Sequence, residues 1–147
     1  MPFAVLQIRV AAYVLCTCED KKSRNNEKMV SFEAPKVWLA PMSGATDAPM
    51  RRQAVYFGAP AVVSEMVAGE TLAVARPDVV RRVCRHEGGG QWIVQLAARR
   101  PVDMLRGAEL LAETGVDVID INMGCPSRQV TGGQSGSALM RDVPLAS

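Results

Sequence analysis

The chain has 147 residues, of which 48% are hydrophobic and 22% are charged, and its formal net charge is +2. This composition is typical of about one globular domain and argues against a largely disordered protein. The weak positive charge does not by itself indicate a nucleic-acid partner. No run of about 18 apolar residues occurs, so we expect no membrane-spanning helix.

The four cysteines, Cys16, Cys18, Cys84 and Cys125, lack the paired spacing of a zinc site. They also lack a signal-peptide context that would favour a disulfide framework. We therefore expect reduced thiols, a cytoplasmic protein and no metal site.

Residues 1–34 differ in composition from the rest of the chain, because an apolar start gives way to a polar run over residues 19–28. We interpret them as an N-terminal extension that is either disordered or outside the native product, since Met29 is an alternative start. Residues 35–147 form the predicted domain.

From Val37 onwards, short apolar runs alternate with segments of helical periodicity, and Gly, Pro, Ser or Asp marks each junction. The predicted strands cover residues 37–42, 61–65, 92–96 and 117–122. The predicted helices cover residues 49–57, residues 71–84 with a break at Pro77, and the segment that starts at Pro101 and ends at Gly115.

Alternating strands and helices predict an α/β fold with a parallel sheet, either an open doubly wound sheet or part of an eight-stranded barrel. Periodicity alone does not choose between them. The first strand-to-helix turn has one glycine, Gly44, instead of a G-x-G-x-x-G pattern, which weighs against a dinucleotide fold.

The exit of the fourth strand carries Asn122, Gly124, Cys125 and Pro126, followed by a Gly/Ser-rich loop. Ligands of such sheets bind beyond the carboxyl ends of the strands, so this exit predicts a functional site. Gln95 lies inside the apolar third strand, where a buried amide needs hydrogen-bond partners.

Four segments now identify a family. They are LAPMSGATDAPMRR at residues 39–52, VVSEMVAG at 62–69, IVQLAARRP at 93–101 and DVIDINMGCPSRQVTGGQSGSALMRD at 117–142. In this order and spacing they resemble the tRNA-dihydrouridine synthases, particularly the bacterial branch, over about residues 35–147.

The resemblance implies the first half of a TIM (β/α)8 barrel, with four parallel strands, that binds FMN. It also implies that NADPH is the reductant and that uridine in tRNA is converted to 5,6-dihydrouridine. In this family a flavin hydride goes to C6 of the uracil and a cysteine protonates C5. Cys125 matches that cysteine, and a thiol, largely protonated at neutral pH, suits a general acid.

The resemblance assigns Pro41, Met42 and Gln95 to the flavin, and Asn122 and Arg128 to the substrate. Each of these residues also has a competing structural interpretation. Asn122 would instead cap the turn, backbone groups would satisfy Gln95, and Arg128 would be solvated. Without the family, Pro41 and Met42 would be a turn and a core residue.

Other conspicuous residues are expected to be structural. His86 is predicted to lie in a surface loop and Cys84 to be packed on a helix. Residues 131–137 are interpreted as a mobile loop that lets Cys125 reach a base extruded from folded tRNA. A further set is expected to be solvated on helix faces or to form a basic rim: Arg51, Arg52, Arg99 and Arg100.

The family's later flavin-binding segments and its helical tRNA-binding domain would lie beyond residue 147. A half barrel has unpaired edges on its first and last strands, which predicts self-association or dependence on a missing C-terminal half. We expect the chain alone not to retain FMN stoichiometrically. The alternatives are an inactive truncated product, or a different FMN-barrel pyrimidine oxidoreductase, against which the matched segments argue.

Overall fold

A computed structural model describes residues 37–147. The predicted N-terminal extension, residues 1–34, lies outside the described part of the chain, as do Cys16 and Cys18. No helix within residues 37–147 is long and apolar enough to cross a membrane.

The centre of the fold is a parallel sheet in the order β1-β2-β4-β5. Its strands are β1 Trp38–Leu39, β2 Ala61–Val63, β3 Val67–Ala68, β4 Gln91–Ala97 and β5 Val118–Ile121. Along the order β1-β2-β4-β5, each strand lies beside the next one and the order never reverses, whereas a doubly wound sheet reverses at a switch point. The predicted α/β class is confirmed, and the arrangement is that of part of a TIM barrel.

Helices alternate with the strands as predicted. They are α1 Ala48–Tyr56, α2 Gly69–Ala73, α3 Pro77–Val83, α4 Pro101–Glu113, α5 Arg128–Thr131 and α6 Val143–Ala146, with a 3₁₀ helix over Gly136–Arg141. Asp47 caps α1 by accepting a hydrogen bond of 3.0 Å from the backbone N–H of Met50. Proline occupies the first turn of α1, α3 and α4, where its missing N–H costs no hydrogen bond.

The second predicted strand, residues 61–65, is interrupted after Val63, and the chain resumes strand pairing at β3. On β4, Ile93 pairs with Val63 and Leu96 pairs with Val67, so four steps on one strand match three on the other. One extra residue therefore forms a bulge, which sequence periodicity did not predict. The bulge contains Ser64 and Glu65, both buried polar residues.

The core is divided by the sheet because side chains of β4 alternate between its faces. Trp92, Val94 and Leu96 pack in one cluster that includes residues of the helices, such as Leu111. Ile93 packs in a second cluster with Ala61, Val63 and Val118, against which Trp38 lies. Gln95 shares the face of Ile93, which corresponds to the interior of a barrel.

Arg51 contradicts the expectation of a solvated helix-face charge, because its side chain is fully buried. Its guanidinium donates to the backbone carbonyls of Thr46 at 2.6 Å and Arg82 at 3.1 Å, and also to that of Cys84. Burial lowers the pKa of Arg51 from its ordinary value. The sequence pattern could not indicate this role, since the acceptors are backbone atoms and two of them belong to a distant segment.

His86 was predicted on the surface, and this is wrong: the side chain is buried. Its Nε2 lies 2.8 Å from the carbonyl oxygen of Gly89. Gly88, Gly89 and Gly90 all have positive φ, which lets the chain turn back towards the imidazole ring. Burial lowers the pKa of His86, and the charges of Arg51 and Arg85 act in the same direction, while the hydrogen bond to Gly89 opposes them.

Arg51→Met should lower the free energy of unfolding by about 3 to 5 kcal/mol, because it leaves buried carbonyl groups without donors. Urea denaturation measures the effect. The matched control is Arg52→Met on the same helix, where the side chain is half exposed and lies 3.8 Å from Glu87; this change should cost less than about 1 kcal/mol. Equal losses in the two variants would contradict the role of Arg51.

Because the pKa of His86 is lowered in the folded state, the unfolded chain binds the proton first as pH falls below about 6.5. The melting temperature should therefore decrease between pH 7.5 and pH 5 more steeply in the wild type than in His86→Gln. Glutamine keeps a donor for Gly89 but does not titrate. His86 is the only histidine of the chain. If the melting temperature depends on pH equally in the two proteins, the lowered pKa of His86 is contradicted.

Candidate functional site

The carboxyl ends of the strands meet at one edge of the sheet, where parallel α/β folds bind their ligands. Pro41 and Met42 follow β1, Glu65 lies in the bulge after β2, and Asn122 follows β5. Gln95 is near the end of β4, in register with Asp120 on β5.

Three side chains, one on β4, one on β5 and one just after β5, form a continuous hydrogen-bonded chain. Gln95 Nε2 donates to Asp120 Oδ2 at 2.6 Å, and Asn122 Nδ2 donates to Gln95 Oε1 at 2.9 Å. Asn122 Oδ1 in turn accepts from the backbone N–H of Cys125 at 3.0 Å and from that of Gly124 at 3.3 Å. We call Asp120, Gln95 and Asn122 the amide relay. It connects the centre of the sheet to residues 124–126, which we call the cysteine segment.

The amide relay shows which partners the two amide side chains have in the fold. Gln95 is 7% exposed, and its amide is hydrogen-bonded by Asp120 and Asn122 and not by backbone groups. Asn122 does cap the turn, but only through its oxygen. Each amide nitrogen carries two hydrogens, so both residues retain one N–H that the relay does not use.

Cys125 is a free thiol of intermediate exposure. Its backbone is held on both sides, since its N–H bonds to Asn122 and its carbonyl accepts from Ser137 N at 3.0 Å. Cys84 was expected to be packed, but it is exposed because it lies just beyond the end of α3.

A second polar group holds the segment between β1 and α1. Thr46 is fully buried, and its Oγ1 accepts from Met42 N at 3.0 Å and lies 3.2 Å from Met42 O. Glu65 Oε2 accepts from Gly44 N at 2.7 Å. These contacts fix the backbone of Met42 while its side chain remains 42% exposed.

Glu65, Thr46 and Asp120 were not singled out by the sequence analysis. Glu65 stands at the end of the second predicted strand and Asp120 inside the fourth. A carboxylate in or at the end of an apolar parallel strand is a usable signal, because burial requires a partner. Thr46 offered no such signal, since its partners are backbone atoms.

Arg128 begins α5 and lines a cavity of about 460 Å³ with Arg141, next to Pro126. Within residues 37–147, neither guanidinium has a hydrogen-bond or ion-pair partner. Over the same residues, no group of three His, Cys, Asp or Glu side chains is placed to hold a metal ion.

Comparison with known proteins identifies the family. Residues 38–147 match the family model described as dihydrouridine synthase (Dus). The chain belongs to the dihydrouridine synthase family. It is 49% identical over 109 residues to a probable tRNA-dihydrouridine synthase of Rhodobacter capsulatus, an alignment that covers 74% of this chain and 34% of the relative.

Other relatives of this chain are similar over a stretch of comparable length. A probable tRNA-dihydrouridine synthase of Rhizobium leguminosarum is 50% identical over 107 residues, which are 73% of this chain and 33% of that protein. The tRNA-dihydrouridine synthase B of Pseudomonas putida is 43% identical over 111 residues, or 74% and 32%. The chain thus spans about a third of the length of these relatives.

Of the residues predicted for the site, the structure brings Gln95, Asn122 and Cys125 together in the dihydrouridine synthase fold. Pro41 and Met42 lie at the exit of β1, two strands away from β4 in the sheet order. Arg128 lies three residues beyond Cys125, on the cavity described above. The predicted loop at residues 131–137 contains the end of α5 and the start of the 3₁₀ helix; its mobility stays a prediction.

Gly136 packs directly against the cysteine segment and has a φ of +61°. A Cβ there would lie 2.8 Å from the carbonyl oxygen of Cys125 and 2.7 Å from Val130 Cγ1. Gly136→Ala should therefore displace the backbone and lower the hydrogen-exchange protection of the Ser137 amide by about tenfold, as measured by NMR.

Gly133→Ala is the control for this prediction. Its Cβ would meet only the carbonyl oxygen of Val130 at 3.4 Å, and φ is not positive. Protection of Ser137 should be nearly unchanged in this variant. Unchanged protection in Gly136→Ala as well would show that the 3₁₀ helix does not depend on the glycine.

Proposed function

We propose that the protein that carries this chain reduces uridine in tRNA to 5,6-dihydrouridine, with FMN as cofactor and NADPH as reductant. The observation that supports this most directly is the amide relay, which ends on Cys125 at the carboxyl edge of a parallel sheet. Relatives that are 43% to 50% identical are named tRNA-dihydrouridine synthases. A tRNA substrate also agrees with the expected cytoplasmic location.

The described residues fit FMN. Gln95 retains one N–H and one lone pair, which suit the imide edge of an isoalloxazine ring. Met42 offers an exposed, polarizable side chain on a rigid backbone, and Pro41 lies beside it. Pro41, Met42 and Gln95 would therefore hold the flavin, which when reduced by NADPH supplies the hydride for C6 of the uracil.

Cys125 is the proposed general acid. Its thiol proton would be transferred to C5 of the uracil, and the residue becomes a thiolate that must be reprotonated before the next cycle. A protonated thiol can act as a general acid towards developing carbanion character. The residue is partly exposed at the carboxyl edge of the sheet, where a base would enter the site.

Substrate binding is assigned to Asn122 and Arg128. The unused N–H of Asn122 can donate to a uracil carbonyl while its oxygen holds the cysteine segment. Arg128 lacks a partner in residues 37–147 and borders an open cavity, which suits a phosphate of the RNA backbone. A uridine in folded tRNA must leave its stack to reach these groups.

A closed barrel requires partners for the outer strands of the sheet. Within residues 37–147, β1 pairs only with β2, and β5 pairs only with β4. Unpaired parallel edges invite further strands. We therefore propose that either a C-terminal half of the barrel or a second copy of the chain pairs with these edges.

Cys125→Ala should abolish dihydrouridine formation and leave FMN bound. The assay uses the longest polypeptide that the gene encodes, unmodified tRNA and NADPH, with mass spectrometry of nucleosides and the flavin spectrum as the two measurements. A loss of about 100-fold or more is expected for a missing general acid.

Cys84→Ala is the matched control, since this thiol is exposed on another part of the fold and should be dispensable. Normal turnover by Cys125→Ala would refute the acid role. Reduction of free pyrimidines but not of tRNA would refute the substrate assignment and favour the alternative pyrimidine oxidoreductase.

A further inference from the structure

We propose that Asp120 is a positioning residue that sets the direction of both relay amides and, through them, holds the backbone of Cys125. The proposal concerns the same site and rests on the proposed function for its catalytic meaning. The side-chain hydrogen bonds that lead from Asp120 to the backbone of Cys125 run through Gln95 and Asn122.

The orientation of an amide side chain is not set by its shape. Carboxamide oxygen and nitrogen have nearly the same size, so packing alone does not decide which one faces a given neighbour. Gln95 and Asn122 could each be rotated by half a turn without a steric change. Only their hydrogen-bond partners distinguish the two orientations.

The two ends of the relay remove this ambiguity. An ionised carboxylate only accepts hydrogen bonds, so Asp120 requires the nitrogen of Gln95 and directs its oxygen towards Asn122. The oxygen of Gln95 then requires the nitrogen of Asn122. Backbone N–H groups only donate, and those of Cys125 and Gly124 require the oxygen of Asn122. Both ends therefore select the same orientations.

The Asp120 end is the stronger constraint. Its bond to Gln95 measures 2.6 Å, compared with 2.9 Å and 3.0 Å for the later links, and a carboxylate is a stronger acceptor than an amide oxygen. Gln95 and Asp120 are also direct neighbours in the parallel pairing of β4 and β5, so the backbone already places them side by side. A polar network in which every member has a partner is rigid.

The fixed relay determines which groups the site presents to a ligand. With both amides fixed, Gln95 and Asn122 each present an N–H, and these two donors have defined positions relative to Cys125. If Asp120 could not accept a hydrogen bond, the amide of Gln95 could rotate by half a turn. The nitrogen of Gln95 would then face the nitrogen of Asn122, and the hydrogen bond between these two amides would be lost. Asn122 would keep its bonds to the backbone N–H groups of Cys125 and Gly124 but lose the bond to Gln95 that supports them, so this segment would open more readily.

The test measures alkylation of Cys125 by iodoacetamide in the 147-residue chain, with peptide mass spectrometry to resolve each cysteine. Asp120→Ala removes the acceptor and should raise the rate at Cys125 by about fivefold, since loss of one hydrogen bond favours local opening by about that factor. The rate at exposed Cys84 is the internal reference and should not change.

Asp120→Asn separates orientation from charge. It removes the same negative charge but keeps an oxygen that can accept from Gln95. The backbone N–H groups of Cys125 and Gly124 still require the oxygen of Asn122 and so favour this orientation, and the rate should stay within about twofold of the wild type. If Asp120→Asn raises the rate as much as Asp120→Ala, the charge is responsible and the proposal is overturned. An unchanged rate in Asp120→Ala would also overturn it.

Asp117→Ala is the control for a general effect on β5. Asp117 accepts from Trp92 N at 2.7 Å at the other end of the strand, away from the relay. Its loss should reduce stability without a selective effect on Cys125. A selective rise at Cys125 in this variant would overturn the proposal.

Gln95→Met covers the case in which Asp120→Ala fails to fold, because it breaks the relay in the middle with a side chain of similar size. It should raise the Cys125 rate by about the same factor as Asp120→Ala, and the double variant should show no further increase. Additive effects would show that Asp120 acts independently of Gln95 and would overturn the proposal.

These measurements need neither FMN nor RNA. A relay effect without uridine reduction would refute the proposed function and leave the role of Asp120 intact. Uridine reduction without a relay effect would refute only the inference about Asp120.

Discussion

The parallel register between β4 and β5 is the constraint on which the site depends. It places Gln95 beside Asp120 and brings Asn122 to the end of the same sheet face. A shift of one residue would turn the polar side chains of a strand towards the helices, where Trp92, Val94 and Leu96 now pack. The apolar pattern of β4 therefore fixes the positions of the site's polar side chains, because a register shift that moved the amides would also expose core residues.

The rest of the site is held by buried polar groups that bond to backbone atoms. Thr46 and Glu65 fix the segment that presents Met42, and Arg51 ties the start of α1 to the chain after α3. Each of these three polar side chains is nearly or fully buried, so its desolvation must be offset by hydrogen bonds. They form a rigid base beneath a few exposed groups, which is the arrangement that a binding site requires.

Family membership and geometry support different parts of the functional proposal. Membership concerns residues 38–147 and the type of chemistry found in much longer relatives. The structure adds how this chain's own residues are arranged for such chemistry: one thiol, two oriented amides and an exposed methionine at one sheet edge. An open cavity lined by two arginines borders Pro126, the residue that follows Cys125.

The sequence by itself determined the alternation of strands and helices, the position of the cysteine segment, and the candidate residues Pro41, Met42, Gln95, Asn122, Cys125 and Arg128. These come from local patterns, such as apolar periodicity and turn residues, or from the family resemblance. Only the tertiary structure decided the sheet order, the bulge at Glu65, and the burial of Arg51 and His86. It alone joined Asp120 to Cys125 through two amides, because hydrogen bonds between distant segments depend on strand register and leave no periodic trace in the chain.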